Sequence, residues 1–419
     1  MYDAVAGTFL VGIIGAGAAG IMAALAAAEA GADVSLFEKN NIVGKKMGIT
    51  GKGRCNLTNA APITDFIGST PGNGKFLYSV YQRFTNEDLL ECLHSWGLET
   101  KVERGGRVFP QSDSAVEVRK LLYFKLKDFG VHLHLEEGVT AVAVHDGRTR
   151  ITTAKGQYFF DKLIIATGGM SYPVTGSTGD GYTFAAGLGH TIQEPRPSLI
   201  PFVSPDTWVH ELTGLALKNV DVTLWKGKKK IASRFGEMLF THFGISGPAV
   251  LMLSTAAVHS KKAVYPMEVV INLKPALSEE KLYKRLERDF ELYDRKQAEN
   301  AMKDLLPKRL IPAVLRQAEV ATDAPVHTLS AAARLRIVQA LQNLQLTVTG
   351  VRPLAEAIVT AGGVSVREIN PKTMESKIVP NIYFAGEVTD IDAYTGGYNL
   401  QAAFSTGYAA GVEAAGGSE

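Results

Sequence analysis

Residues 12–20 read GIIGAGAAG, which places Gly15, Gly17 and Gly20 at the spacing G-x-G-x-x-G. The apolar run that follows ends in an acid, Glu38. Glycines so spaced let a backbone wrap a phosphate, and a carboxylate downstream can accept hydrogen bonds from ribose hydroxyls. The chemistry needs defined supports. Residues 9–14 are apolar and predict a buried strand, residues 21–30 are rich in Ala and predict a helix, and residues 34–37 predict a second strand ending at Glu38. In that frame Gly15 permits the tight turn, Gly17 leaves room for a pyrophosphate, and Gly20 lets helix and strand pack closely. The helix N-terminus adds free N–H groups and partial positive charge. A carboxylate at position 38 also repels a 2′-phosphate. With 42 glycines in the chain the motif alone carries little weight, and its plain reading is a glycine-rich turn. The strand–turn–helix–strand–acid context argues for dinucleotide binding.

Two further strand ends repeat the theme. Residues 163–166 form a short apolar run leading into Thr167, Gly168 and Gly169. Residues 378–384 predict a strand entering Ala385, Gly386 and Glu387, and a small-residue helix is expected over 399–415. Small residues after a buried strand let backbone lie against a flat ligand, and Glu387 can bind a polyol chain. The N–H groups of the last helix can face the pyrimidine edge of a flavin. Each motif alone reads as a strand-ending turn. Three in this order fit FAD better than NAD. A second complete fingerprint is missing, so a transient NAD(P)H donor stays open.

The elements between these motifs set the architecture. A chain of 419 residues exceeds what one core normally serves. Helices are expected over 86–96 and 114–129, and period-two strands over 131–135, 139–144, 150–153 and 157–160. Residues 195–275 read as strands divided by Pro and Gly, and residues 278–345 as charged helices with Ser278 suited to a helix start. The expected fold is α/β: a discontinuous Rossmann-like domain over 1–191 and 353–419, a β-rich insert over 192–275 that defines the substrate cavity, and a helical subdomain over 276–352. Hydrophobic residues make up 46% and charged residues 21%, an ordinary globular balance, and the formal charge of +2 gives no strong pull toward nucleic acid or membrane. The uncharged stretch 9–28 lacks a basic flank and is explained by the glycine fingerprint, so no membrane span or signal sequence is expected and a cytoplasmic protein is. Two cysteines, Cys55 and Cys92, make neither a disulfide framework nor a C-x-x-C pair, which suits a reducing compartment.

Other residues invite chemistry. Lys45, Lys46 and Arg54, with Gly51 and Gly53, make a basic loop able to contact FAD phosphate or ring; its plain reading is a solvated loop. Cys55 beside Arg54 is a tempting nucleophile, since the cation could lower its pKa. Without a partner cysteine, it is expected to pack near the flavin without being catalytic. His242 could act as a base or hold a carboxylate; a hydrogen-bonded turn histidine is the plain alternative. Tyr172, Tyr394 and Tyr398 are aromatic candidates beside the ring. The lysine run at 226–230 sits where a polar hairpin turn is expected and shows no interleaved aromatics, so nucleic acid is not expected as a partner. No metal site is expected.

The chain resembles the two-dinucleotide-binding-domain flavoproteins, and within them the HI0933-like group, also named for bile-acid-pathway and aminoacetone-oxidase members. The resemblance rests on GKKMGITGKGRCNLTN at 44–59, TGSTGDGY at 175–182, LFTHFGISGP at 239–248, TAGGV at 360–364, AGE at 385–387 and GGYNLQ at 396–401. Thr50 stands where Ser is usual, which keeps the hydroxyl. The resemblance implies bound FAD, a Rossmann-like domain with an inserted β-barrel-like and helical region, and oxidoreductase chemistry on a poorly defined small molecule. The expected cofactor-binding set is Gly15, Gly17, Ala18, Ala19, Gly20, Glu38, Lys39, Lys46, Thr50, Gly51, Gly53, Arg54, Cys55, Asn56, Val139, Thr167, Gly168, Gly169, Gly386, Glu387, Asn399, Leu400 and Gln401. His242, Tyr394 and Tyr398 are the catalytic candidates. Three functions stay open: a nicotinamide-fed reductase, an oxygen-using amine oxidase, and a flavin-binding sensor without turnover.

Overall fold

The computed structural model describes residues 8–145, 147–260 and 264–417. They form two compact units, residues 1–198 with 353–419, and residues 199–352.

The first unit is built on a five-stranded parallel sheet in the order Ile382–Phe384, Lys162–Ile165, Leu10–Ile14, Asp33–Phe37, His132–His134. Its strands are apolar on both faces, as a covered parallel sheet requires: Ile13, Leu36, Ile164 and Phe384 are fully buried. Ile14 pairs with Ile165 on one side and Phe37 on the other, and Ile165 pairs with Phe384. The glycine turn, Glu38, Thr167 and Gly386 therefore leave the sheet at one edge. In open α/β sheets ligands bind in the crevice outside these carboxyl ends. A three-stranded antiparallel meander, Val139–His145, Arg148–Thr153 and Gln157–Phe160, leads into the sheet strand Lys162–Ile165.

The chain's two ends are held together by helix packing. The helix Ala18–Glu29 lies against the helix Tyr398–Ala414. A Cβ on Gly407 would stand 2.2 Å from the Ala19 carbonyl oxygen, and one on Gly411 2.3 Å from that of Ala23. The helices thus meet backbone to backbone. The first helix begins at Ala18, earlier than expected, because Gly20 belongs to its opening turn. The strand expected over 378–384 shrinks to Ile382–Phe384. Before it, Ser376 accepts hydrogen bonds from the Ile378 and Val379 N–H groups, a turn that ends any extension.

The second unit carries a seven-stranded antiparallel sheet in the order Leu344–Val348, Met267–Asn272, Ala216–Lys226, Lys229–Thr241, Gly244–Ser246, Phe202–Val203, Gly350–Val351. Its two end strands are joined through Thr349, whose N–H donates to the Val203 carbonyl at 2.9 Å, so the sheet curls round on itself. Ser278 caps the helix Glu279–Leu292 by accepting from the Lys281 N–H, and Ser330 caps Ala331–Gln342. Leu282, Leu286, Ile337 and Leu341 share one core with Val222, Val269 and Ile271. Two expected boundaries are corrected here. The helical stretch 276–352 is not a separate unit, because its buried residues share one core with the sheet and its last two strands, Leu344–Val348 and Gly350–Val351, belong to that sheet. Residues 192–198 belong to the first unit, since Ile192–Ser198 pairs with Val359–Val364.

Among the described residues no helix is long and apolar enough to cross a membrane. Neither cysteine forms a disulfide.

Candidate functional site

The three glycines of the fingerprint do different work. Gly15 has φ +101°, and a Cβ there would lie 2.5 Å from the Ala166 carbonyl oxygen. A Cβ on Gly20 would lie 1.8 Å from the Gly15 carbonyl oxygen, while one on Gly17 would meet nothing within 4 Å. Gly17 therefore faces open space at the start of a helix that has no side-chain cap. The unused N–H groups of Ala18, Ala19 and Gly20 at this end can receive a phosphate.

Glu38 ends its strand beside this turn. Its carboxylate accepts from the Ala16 N–H at 2.9 Å and from the Asn40 N–H at 2.8 Å. Asn40, unnoticed in the sequence, also donates to the Thr175 carbonyl. Lys39 turns toward Asp180 and Thr178. Backbone bonds from Glu136 to Asn40 and from Glu137 to Glu38 bring Val139, 8% exposed, to the same end of the sheet. Glu137 is the buried acid of this corner. Burial alone would raise its pKa, but bonds from Tyr158, Thr153, Lys155 and His134 outweigh it and hold the carboxyl down at about 2. The lowered value means that its stabilisation is complete above the ordinary carboxylate range and is lost as pH falls from about 4.5 toward 2. Glu137→Gln is expected to lower stability at pH 7 by roughly 2–3 kcal/mol and to flatten that acid limb, measured by urea titration between pH 7 and 3. An unchanged acid limb would contradict this.

Lys46 and Glu387 meet across the length of the chain. The Lys46 Nζ lies 2.7 Å from Glu387 Oε2 and 2.6 Å from the Ser171 hydroxyl. Glu387 also accepts from the Thr360 N–H at 2.9 Å and the Ser171 hydroxyl at 3.0 Å. One cluster thus draws together the basic loop, the turn after Gly169, the TAGGV segment and the AGE motif. Gly168 has φ +74°, and a Cβ on Gly169 would lie 2.5 Å from the Thr360 hydroxyl oxygen. The Thr167 hydroxyl is buried with no protein partner and lies against Gly181. Gly386, at φ +76°, packs against Ala19, which brings the AGE motif under the first helix.

Several expected contacts are corrected. Arg54 does not turn to the site: it pairs with Glu103 at 2.7 Å and Asp113 at 3.3 Å and stacks 4.0 Å above the Phe109 ring. The Glu103 bond holds its pKa above the ordinary value. It cannot activate Cys55, which is fully buried and whose thiol burial pushes up to about 12. Thr50 donates to the Met47 carbonyl, and a Cβ on Gly51 would crowd Phe109. Gly51, Lys52, Gly53 and Cys55 all have positive φ, so this loop is a left-handed coil wound by its glycines. The Asn56 amide donates to the Val108 and Thr58 carbonyls and accepts from the Gly397 N–H. Asn399 closes on the Ala393 and Tyr394 backbone, and buried Gln401 bonds to Thr58 and Ser405. These three amides build the turn before the last helix and have little left for a ligand. Leu400 is half-buried in that helix. Its N-terminus, at Gly397, has no side-chain cap.

Tyr398 meets Phe66 edge-on at 4.8 Å, and the Tyr394 N–H donates to the Ser69 carbonyl. Tyr172, at φ +51°, donates its N–H to the Ala355 carbonyl. His242 lies in the second unit, exposed in the turn after Lys229–Thr241, with its ring against Phe243.

A Cys55→Ser variant is therefore expected to keep its flavin and turn over within roughly twofold of the parent, because a thiol that stays protonated is no nucleophile. Loss of turnover with full flavin content would overturn this.

A family model described as the HI0933-like protein Rossmann domain matches residues 9–413. The chain is 33% identical over 412 residues to a 3-dehydro-bile acid delta(4,6)-reductase of Clostridium scindens, covering 97% of this chain and 98% of that protein. It is 31% identical over 404 residues to a ribosomal RNA dihydrouridine synthase of Haemophilus influenzae, covering 95% and 96%. The Escherichia coli protein of the same name is 32% identical over 407 residues, again covering 95% and 96%. Among solved structures, a flavocytochrome c3 fumarate reductase in its open conformation superposes with a TM-score of 0.51 at 18% identity, covering 98% of this chain and 78% of that one. A 3-ketosteroid-delta4-(5alpha)-dehydrogenase from Rhodococcus jostii RHA1 gives 0.50 at 15% identity, covering 98% of both. These two likenesses are of fold.

Proposed function

The chain belongs to the HI0933-like family of FAD-dependent oxidoreductases, and on that premise we propose that it reduces a carbon–carbon double bond conjugated to a carbonyl, with a reduced nicotinamide as donor. The observation that carries this reading is the end-to-end similarity to proteins named for two such reductions. A 3-oxo Δ4,6 sterol acid and a uracil ring differ in size, yet each presents an alkene polarised by a carbonyl. The balance is the same for both: NAD(P)H, one proton and the alkene give NAD(P)⁺ and the saturated carbon pair. FAD, when bound, supplies the two-electron exchange between donor and substrate.

The residues fit such a group. Gly15, Gly17 and Gly20 shape the turn for the pyrophosphate, and the N–H groups of Ala18, Ala19 and Gly20 are available to it. Glu38 takes the adenosine ribose, with Val139 beside the base. The open face at Gly17 and the two N–H bonds that fix the Glu38 carboxylate beside it support this placement. Lys46 and Glu387 stand where the AGE strand end meets the basic loop, and they orient the polyol and phosphate portion. The uncapped start of Tyr398–Ala414 offers partial positive charge for a ring that carries negative charge when reduced.

Glu38→Gln is expected to weaken FAD roughly 10- to 30-fold, the cost of replacing a charged acceptor at two hydroxyls, measured by fluorescence recovery on dilution. Unchanged affinity would sink the ribose role. The donor is tested by anaerobic stopped-flow absorbance. Bleaching of the oxidised flavin band by NADH or NADPH is the expected result. Bleaching by amines with peroxide on aerating would instead make it an amine oxidase, and no bleaching by any donor would make it a flavin-binding sensor.

A further inference from the structure

The loop 175–180 grips the two residues that follow Glu38. Lys39 donates to the Thr178 hydroxyl at 2.6 Å and pairs with Asp180. Asn40 donates through Nδ2 to the Thr175 carbonyl at 3.1 Å. Gly176, at φ +104°, leaves this amide its room, since a Cβ there would stand 2.6 Å from Asn40 Nδ2. The loop also rests on the turn after Lys162–Ile165, where a Cβ on Gly168 would lie 2.9 Å from the Ser177 hydroxyl oxygen. It therefore ties the carboxyl end of one sheet strand to that of another.

Asn40 is bonded on every side. Its Nδ2 also donates to Glu38 Oε1 at 2.6 Å, and its backbone N–H donates to the same oxygen at 2.8 Å. Its Oδ1 accepts from Lys45 Nζ at 2.9 Å, and its carbonyl accepts from the Glu136 N–H at 3.0 Å. These neighbours fix which way the amide faces. An ammonium only donates, so it takes the amide oxygen. A carboxylate and a carbonyl only accept, so they take the amide nitrogen. Asp, of the same shape, would set a second carboxylate against Glu38 and the Thr175 carbonyl, and Leu would make none of these bonds. Glu38 Oε1 is thus held by Asn40, and Oε2 by the Ala16 N–H at 2.9 Å. Three donors from two sides keep the carboxylate from rotating. A ribose that meets it finds its acceptor already in place, so little ordering entropy is lost on binding. We propose that Asn40 is a positioning residue for the adenosine ribose of the cofactor. It clamps the Glu38 carboxylate between the glycine turn and the loop 175–180, and so makes the site select a ribose that carries its hydroxyls. This rests on the reading of Glu38 as the ribose acceptor, and Asn40 acts through it.

The test is an exchange competition on the FAD-loaded full-length protein. It is equilibrated with equal excesses of FAD and of the FAD analogue whose adenosine ribose lacks the 2′- and 3′-hydroxyls. Mass spectrometry of the flavin that stays bound gives the ratio of the two affinities. Only loaded protein contributes, and a loss of stability weakens both flavins alike, so a merely structural role leaves the ratio unchanged. The parent is expected to prefer FAD about 10- to 30-fold, the effect of hydroxyls donating to a charged acceptor. Asn40→Ala should bring the preference to about 3-fold or less. Asn40→Asp, of the same size, should do likewise through repulsion, and it serves where the alanine variant does not load. Glu38→Gln/Asn40→Ala should match Glu38→Gln within about twofold, because the second residue acts through the first. A parent-like ratio in both Asn40 variants, or a further fall in the double variant, overturns the positioning role and leaves Glu38 as the ribose acceptor. A parent that does not distinguish the two flavins removes Glu38 from the ribose, and the role of Asn40 with it.

Discussion

Gly407→Val is expected to be the most damaging single substitution outside the glycine fingerprint, costing about 3 kcal/mol or more and releasing FAD. The Cβ would be driven to 2.2 Å from the Ala19 carbonyl oxygen, and its neighbours there are backbone atoms of the first helix, which cannot rotate aside. The helix must therefore separate from Tyr398–Ala414. Ala19 lies in the turn that follows Gly17, so the shift reaches the phosphate-binding end directly. Gly68→Ala is the control, since a Cβ there meets nothing within 4 Å. It should change stability by less than about 0.5 kcal/mol. Urea denaturation with flavin release as a second probe distinguishes the cases. Equal behaviour of the two variants would mean that the chain's ends are not joined through this contact.

Lys46→Met comes next. It removes the cation that faces Glu387 and leaves a carboxylate only about 20% exposed with two neutral donors, the Thr360 N–H and the Ser171 hydroxyl. Leaving one half of such a pair unpaired costs about 2–3 kcal/mol, discounted from the fully buried case because both groups touch solvent. FAD affinity should fall with it, by roughly 30-fold or more on that scale. Glu387→Gln added to Lys46→Met should recover part of the stability, since the orphaned charge is then gone. A double-mutant cycle gives the coupling, expected at about 1–2 kcal/mol. Strict additivity of the two substitutions would show that the pair contributes nothing as a pair.

Local signals were legible in the sequence, and distant ones were not. The three glycines, the strand ends at Ile14 and Ile165 and the acid at 38 follow from periodicity and spacing, because each is written in one short run of neighbouring residues. The Lys46–Glu387 contact joins residues 341 positions apart, and no local pattern announces it. The same limit explains Arg54. Its partners, Glu103 and Asp113, lie on or beside a small sheet whose pairing with Thr58–Asn59 the sequence did not suggest. Asn56, Asn399 and Gln401 look like ligand contacts because polar residues in a glycine-rich segment usually have a use. Their use is to satisfy backbone groups that glycine turns leave open. The insert's boundaries were misplaced for a related reason: composition changes near residue 192, but the hydrogen-bonded partner of Ile192–Ser198 is Val359–Val364, far along the chain.

Reoxidation of the reduced protein by a conjugated alkene, without oxygen, tests the central claim most directly. The flavin is reduced by light, freed of donor and mixed anaerobically with a 4,6-dien-3-one sterol, with a uridine-containing RNA, or with a saturated ketone. The oxidised flavin absorbance should return with at least one of the two alkenes, in proportion to the alkene added, and should not return with the ketone. A reduced flavin that both alkenes leave colourless, while oxygen restores it after amine reduction, would contradict the account.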